Sequence, residues 1–214
     1  MEALCSLISE ACGGNLLILA APLLPMRREH PATEHLAKES NSMSRSHIWY
    51  FAYGVNMNRE VLESRGVQTS QSLKANVPGM RLAFEMVSLY RPGTGDATIR
   101  PLRCNEERVP VIWGVLHRIP LASLNEQLDH WEAVHLGHYQ RREVEAVTCD
   151  GTRVKATTYA ALHLNQCLRP SKEYLVTILA GAEAFGLPKD YLTFLRNHPV
   201  EEKYNISYQP SAES

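Results

Sequence analysis

Between Ile48 and Ala161 the apolar residues come in short runs or simple alternation, broken by Gly and Pro turn signals, a pattern that favours strands in series. Ile48 to Tyr53 is an aromatic and β-branched run ending at Gly54 and reads as a buried strand. Met57, Val61 and Leu62 then take helical spacing, with Asn56 or Asn58 available as N-cap and Gly66 as the stop. After the Pro78-Gly79 turn, Met80 to Met86 alternates like a half-buried strand. Pro92 to Asp96 is a loop, and a strand follows over Ala97 to Leu102. Val111 to Ile119 is strongly apolar, and Gly114 in its middle marks a close approach of backbone or ligand. Pro120 opens a helix to about Trp131. Strands over Tyr139 to Cys149 and Arg153 to Ala161 flank the Asp150-Gly151 hairpin dipeptide. Pro170-Ser171 begins a helix through about Phe185, Gly186 ends it, and Pro188 begins a last short helix. Strands in series with few helices predict an α+β fold: a mainly antiparallel, barrel-like mixed sheet with a few flanking helices.

The ends of the chain differ from this middle. Asn15 to Leu24 is apolar but shorter than the roughly 20 residues that span a bilayer, and Glu2 and Glu10 precede it where a signal peptide carries basic residues. Arg27 to Ser44 is polar, like a linker. Residues 1–44 are therefore read as a poorly ordered N-terminal extension, with an over-extended gene start at Met43 as the alternative. Residues 45–199 are read as the main folded domain and residues 200–214 as a polar tail. The 214 residues, 44% hydrophobic and 21% charged, suit one globular domain plus extra length. A net charge of -1 offers no long-range attraction to nucleic acid or an anionic membrane, so a small molecule or another protein is the expected partner. Five cysteines without a CxxC pair read as free thiols in a reducing, cytoplasmic setting, with no paired ligands for zinc. Cys149 and Cys167 are expected to pack as small hydrophobes.

Two segments can carry chemistry. On the helix Leu121 to Trp131, at about 100° per residue, Glu132 falls within roughly 20° of Leu121 and 40° of Leu128. A carboxylate on that stripe, at the negative end of the helix dipole, has its pKa raised toward the range of a general acid or base. The alternative is a helix that ends at Trp131 and leaves Glu132 in solvent. In Tyr50-Phe51-Ala52-Tyr53-Gly54-Val55-Asn56 a strand enters a glycine turn. Its freed N–H groups suit a carboxylate or oxyanion, unless it is an ordinary strand–helix connection. His130, His135 and His138 cluster, but at a spacing that straddles a helix end and is poor for a metal. Nothing marks Cys104 or Cys149 as an activated thiol. Arg141-Arg142-Glu143 reads as a solvated strand face. Arg81 and Arg100 are candidates for gripping a carboxylate, with surface exposure as the simpler fate.

The segment Tyr50 to Met57 resembles the YFAYGSNL-type glycine loop of the γ-glutamylcyclotransferase family, and Leu128-Asp129-His130-Trp131-Glu132-Ala133-Val134 resembles its LDxxEGV segment. The similarity continues through Val111 to Val115, Gly137-His138-Tyr139, Thr158-Tyr159, Pro170-Ser171 with Tyr174, Gly181-Ala182, and Gly186-Leu187-Pro188 with Tyr191. It covers roughly residues 47–197 in the family's order. The resemblance implies cyclisation of a γ-glutamyl amide to 5-oxoproline with release of the amine, without metal or cofactor. Glu132 would be the acid/base. Tyr50, Phe51, Ala52, Tyr53, Gly54, Val55 and Asn56 would hold the glutamyl carboxylate and carbonyl. Tyr159 would give a hydroxyl to the substrate, and Tyr139 would line the pocket. It also implies a homodimer. Two alternatives stand beside this turnover role: the same chemistry as a deprotection step in specialised-metabolite biosynthesis, and a non-catalytic binding module. Val55 replaces the family's serine, which bears on the leaving amine, and Ala133 replaces the glycine beside the glutamate.

Overall fold

The computed structural model describes residues 47–103 and 109–201. The expected extension over residues 1–44 lies outside the described residues, as do Cys5, Cys12, Cys104 and the tail beyond Glu201. Five strands close into a barrel in the order β1-β5-β2-β6-β7: β1 (His47–Ala52), β2 (Gln71–Val77), β5 (Ile112–Pro120), β6 (Tyr139–Thr148) and β7 (Arg153–Ala161). Every ladder in it is antiparallel except the closing one, where β1 meets β7 in parallel at Tyr50 and Thr157. β3 (Met80–Val87) and β4 (Gly95–Pro101) form a separate antiparallel pair with a register shift between Ala83 and Met86. Barrel closure removes the sheet edges, and Phe51, Ala75, Ile112, Leu116 and Ala146 are buried in one continuous core.

Helices cover the outside. A 3₁₀ turn (Val55–Met57) leads into α1 (Arg59–Ser64), which Asn58 caps by accepting a hydrogen bond from the Glu60 N–H. The helical run α2 is composite: Leu121–Ser123, a π-helical turn over Leu124–Leu128, and Asp129–Trp131. α3 (Lys172–Ala184) is capped by Ser171, and α4 (Lys189–Arg196) follows Pro188.

Most of the elements stand where the hydrophobic pattern puts them. β2 was not expected, although Leu73, Ala75 and Val77 alternate with Ser72, Lys74 and Asn76 as a half-buried strand should. Gly95 and Asp96, read as loop, belong to β4. An added Cβ at Gly95 would stand 2.1 Å from the Phe84 carbonyl oxygen, so only glycine lets the two strands meet there. β3 is buried on nearly all its length instead of alternating. Cys149 and Cys167 are exposed free thiols rather than packed hydrophobes, because each sits in a loop after its strand.

Gly114 proves to be a backbone contact. An added Cβ would lie 2.2 Å from the Ala52 carbonyl oxygen and 2.8 Å from Phe51 Cζ. This approach seats the end of β1, where the chain leaves the barrel toward Gly54. Gly114→Ala should lower the unfolding free energy by about 3 kcal/mol, because the obstructing atom is main chain. Gly151→Ala, at φ +85° with no neighbour within 4 Å, should lose only about 1 kcal/mol. Urea unfolding of both variants checks this, and equal losses would contradict it.

Candidate active site

At the end of β1 the chain turns outward at Gly54, and Asn56 swings inward, buried, at the floor of a cleft of about 340 Å³. Helix α3 fixes this turn from behind: Gly181 packs so closely that a Cβ there would stand 2.9 Å from the Asn58 nitrogen and 3.1 Å from Met57 Cβ. Opposite, α2 ends at Trp131, and Glu132 is its C-terminal capping residue. The next residue, Ala133, adopts the left-handed conformation (φ 49°, ψ 43°), the one non-glycine to do so among the described residues. That conformation costs an alanine about 1 kcal/mol. Ala133 stands where the resembled motif has glycine, and the chain turns away directly after Glu132.

Glu132 faces the cleft with its side chain 16% exposed. Asn56 Nδ2 donates to Glu132 Oε1 at 2.9 Å and to the Tyr50 hydroxyl at 2.9 Å. Arg65 Nη1 donates to Asn56 Oδ1 at 2.8 Å and lies 3.7 Å from Glu132 Oε1. The Arg65 guanidinium also sits 5.0 Å over the Trp131 ring. Asn56 therefore has its carbonyl on the cation and its amide on the carboxyl, which fixes its orientation. Burial pushes the Glu132 pKa up to about 7, Arg65 and Asn56 hold it from going higher, and the Asp96 carboxylate adds to the rise.

The helical wheel put Glu132 on one stripe with both Leu121 and Leu128, and only part of that alignment holds. The π turn re-phases α2, so Leu121 is 39% exposed while Leu128 is fully buried, and Glu132 shares a face with Leu128 alone. Of the expected pocket residues, Tyr50, Tyr53, Gly54, Val55, Asn56, Tyr139 and Tyr159 line the cleft. Phe51 and Ala52 do not. They sit in the β1–β5 ladder, with the Phe51 carbonyl accepting from Thr158 Oγ1 at 2.7 Å. The Tyr159 hydroxyl donates to Asp129 Oδ1 at 2.7 Å, Tyr139 donates to the Ala97 carbonyl at 2.7 Å, and Tyr53 donates to the Tyr159 carbonyl at 2.6 Å. These tyrosines frame the cleft with hydroxyls already engaged, and burial raises the pKa of all three.

Arg65, Arg91 and Asp96 also line the cleft and were not singled out in the sequence, and Tyr174, named there only as part of the resemblance, lines it too. Arg91 Nη2 pairs with Asp96 Oδ1 at 2.6 Å and stacks 4.4 Å over the Tyr174 ring, whose hydroxyl accepts from the Ala97 N–H at 3.1 Å. Arg65 sits one residue before the helix-ending Gly66, an ordinary position that gives no sequence signal. Arg81 and Arg100 lie elsewhere, each 3.3 Å from the buried Glu85 rather than on the surface. Arg141 is exposed and grips Asp129 with two hydrogen bonds. His130 and His135 stack at 5.7 Å, and no group of three His, Cys, Asp or Glu able to hold a metal comes together among the described residues. No helix among those residues is long and apolar enough to cross a membrane.

Known proteins share this arrangement of chain. The model of the AIG2-like family matches residues 111–195. The structure of a γ-glutamyl cyclotransferase is 26% identical, covering 74% of this chain and 91% of that one, with a TM-score of 0.64. An uncharacterised protein from Homo sapiens is 27% identical, over 73% of this chain and 90% of its own, with a TM-score of 0.64. The chain belongs to the γ-glutamylcyclotransferase-like, AIG2-like superfamily. A glutathione-specific γ-glutamyl cyclotransferase from yeast, 16% identical over 70% of this chain and 94% of its own at a TM-score of 0.52, shares the fold with this superfamily member. No curated protein matches the sequence.

The raised pKa has a thermodynamic consequence for this superfamily member. Between the ordinary value of 4.5 and about 7, the unfolded chain ionises Glu132 while the folded chain keeps it protonated. Stability that is complete below 4.5 is therefore lost as pH rises through 7, by about 3 kcal/mol. Glu132→Gln has no such proton to lose. Urea titrations at pH 4.5 and pH 8 should show the variant gaining about 3 kcal/mol on the wild type over that interval. A constant difference would contradict the burial of this carboxyl.

Proposed function

We propose that the protein cyclises a γ-glutamyl amide to 5-oxoproline and releases the free amine, with Glu132 as the acid/base. One observation carries the reading: a carboxyl of pKa about 7, held by Asn56 and Arg65, faces the Gly54 turn across a cleft. The resemblance of both segments to the cyclotransferase motifs supports it, and so does the likeness to a solved γ-glutamyl cyclotransferase.

Cyclisation requires the substrate's α-ammonium to become an amine, fold back and attack its own γ-carbonyl carbon. Glu132, as the carboxylate, takes one ammonium proton, and the new C–N bond forms as the carbonyl oxygen becomes an oxyanion. Glu132 then returns that proton to the departing nitrogen, and the old C–N bond breaks. The α-nitrogen sheds a second proton in becoming the lactam N–H, and this proton leaves with the amine as ammonium or passes to water. One carboxyl near neutrality suits both transfers, since it is neither too weak a base nor too weak an acid at working pH. The N–H groups of Val55 and Asn56 open a 3₁₀ turn and so have no partner within it. They are the proposed donors to the glutamyl carboxylate or the oxyanion. The tyrosine frame of Tyr50, Tyr53, Tyr139 and Tyr159 would hold the glutamyl chain in a near-attack fold.

Glu132→Gln should reduce 5-oxoproline release by at least about a thousandfold while leaving the circular dichroism spectrum unchanged. Wild-type-like turnover would remove Glu132 from the mechanism. In the wild type, kcat/KM should rise with pH through about 7. Arg65→Met should shift that limb upward, because Arg65 is the largest influence lowering the Glu132 pKa. A limb that stays in place would show that Arg65 does not tune this group.

A further inference from the structure

The cleft that holds Glu132 is lined in part by carbon. Val55, Val87, Leu89, Tyr90 and Trp131 all line it. Four of them are also open to solvent: Val87 at 47%, Leu89 at 46%, Tyr90 at 68% and Trp131 at 40%. Single exposed apolar residues are commonplace, but four large ones lining one cleft mark a binding surface. Val55 extends the same wall inward, at the position where the related loop carries a serine hydroxyl.

The charges of the cleft are arranged to match. Its two arginines both have partners: Arg65 is bound to Asn56 and lies beside Glu132, and Arg91 is paired with Asp96 at 2.6 Å. Glu173 adds another acid to the lining. Among the described residues of the lining, then, a negatively charged leaving group meets no arginine or lysine that lacks an acidic neighbour, and the one open donor, Arg91 Nε, is buried. Resting on the cyclotransferase reading above, we propose that the leaving-amine subsite takes an apolar amine, with a hydrocarbon or aromatic substituent and no requirement for a carboxylate. The glutamyl half is held on the polar side by the Gly54 turn. The hydrocarbon lies against Val55, Trp131 and the Val87–Tyr90 segment, where burying a ring in place of a methyl group favours binding by the ordinary apolar contribution.

Three substrates test this with the full-length chain: the γ-glutamyl amides of methylamine, phenethylamine and phenylalanine, followed by 5-oxoproline release. The phenethylamide should exceed the methylamide in kcat/KM by at least about tenfold, and should at least equal the phenylalanine derivative. Changing Leu89 and Tyr90 together to serine should bring the phenethylamide-to-methylamide ratio close to unity. Equal rates for the methylamide and phenethylamide in the wild type would overturn the proposal. So would a phenylalanine derivative about tenfold better than the phenethylamide, since a carboxylate would then be what the site recognises. If none of the three releases 5-oxoproline, the cyclisation reading itself fails, and the subsite is judged separately by calorimetry on the Glu132→Gln variant. There, about tenfold tighter binding of the phenethylamide than of the methylamide supports it, and equal affinities overturn it.

Discussion

Asn56 is the joint between the two halves of the site. Its amide nitrogen reaches the Glu132 carboxyl and the Tyr50 hydroxyl, and its amide oxygen is taken by Arg65. A buried carboxyl without such company would simply stay protonated; one clamped directly by an arginine would stay ionised. The arrangement here is intermediate: Arg65 stands off at 3.7 Å, with the neutral amide closer to the acid than the cation is. Burial then wins by a moderate margin, and the pKa settles near 7. The rest of the architecture keeps these groups in register. Gly114 lets β1 end against β5, Gly181 lets α3 press on the turn after Gly54, and the left-handed Ala133 turns the chain away once Glu132 is in place.

The glycine supports are places where backbone approaches backbone more closely than a side chain permits. The glycines at 95, 114 and 181 all meet main-chain atoms at distances a Cβ could not tolerate. Ala133 is the exception, keeping a conformation that glycine adopts freely and paying a small strain for it. A barrel that positions a carboxyl within hydrogen-bond reach of a turn needs such contacts, because ordinary side-chain packing leaves strands and helices several ångströms further apart.

The hydrophobic pattern carried most of the elements, because barrel strands with one face inward alternate visibly and their turns are written in Gly, Pro and Asp-Gly. β2 escaped because Ser72, Lys74 and Asn76 diluted a real alternation of Leu73, Ala75 and Val77. Glu132 was legible as a carboxyl near an apolar stripe, but the π turn in α2 is invisible to a uniform helical wheel, and it is what separates Leu121 from Leu128. Arg65, and the Arg91–Asp96 pair stacked on Tyr174, were not legible at all. They meet the site through chain segments distant in sequence, and arginine at a helix end looks the same whether it faces solvent or an active site. Phe51 and Ala52 erred the other way: they belong to the motif in sequence but to the barrel ladder in space.

The direct test of this account is the titration of Glu132 itself, followed by carbon NMR of the side-chain carboxyl in protein labelled at glutamate and assigned with the Glu132→Gln variant. A midpoint near pH 7 is the result the structure predicts. A midpoint in the usual carboxylate range, about 4 to 5, would mean a solvated, permanently ionised side chain and would contradict the role given to it.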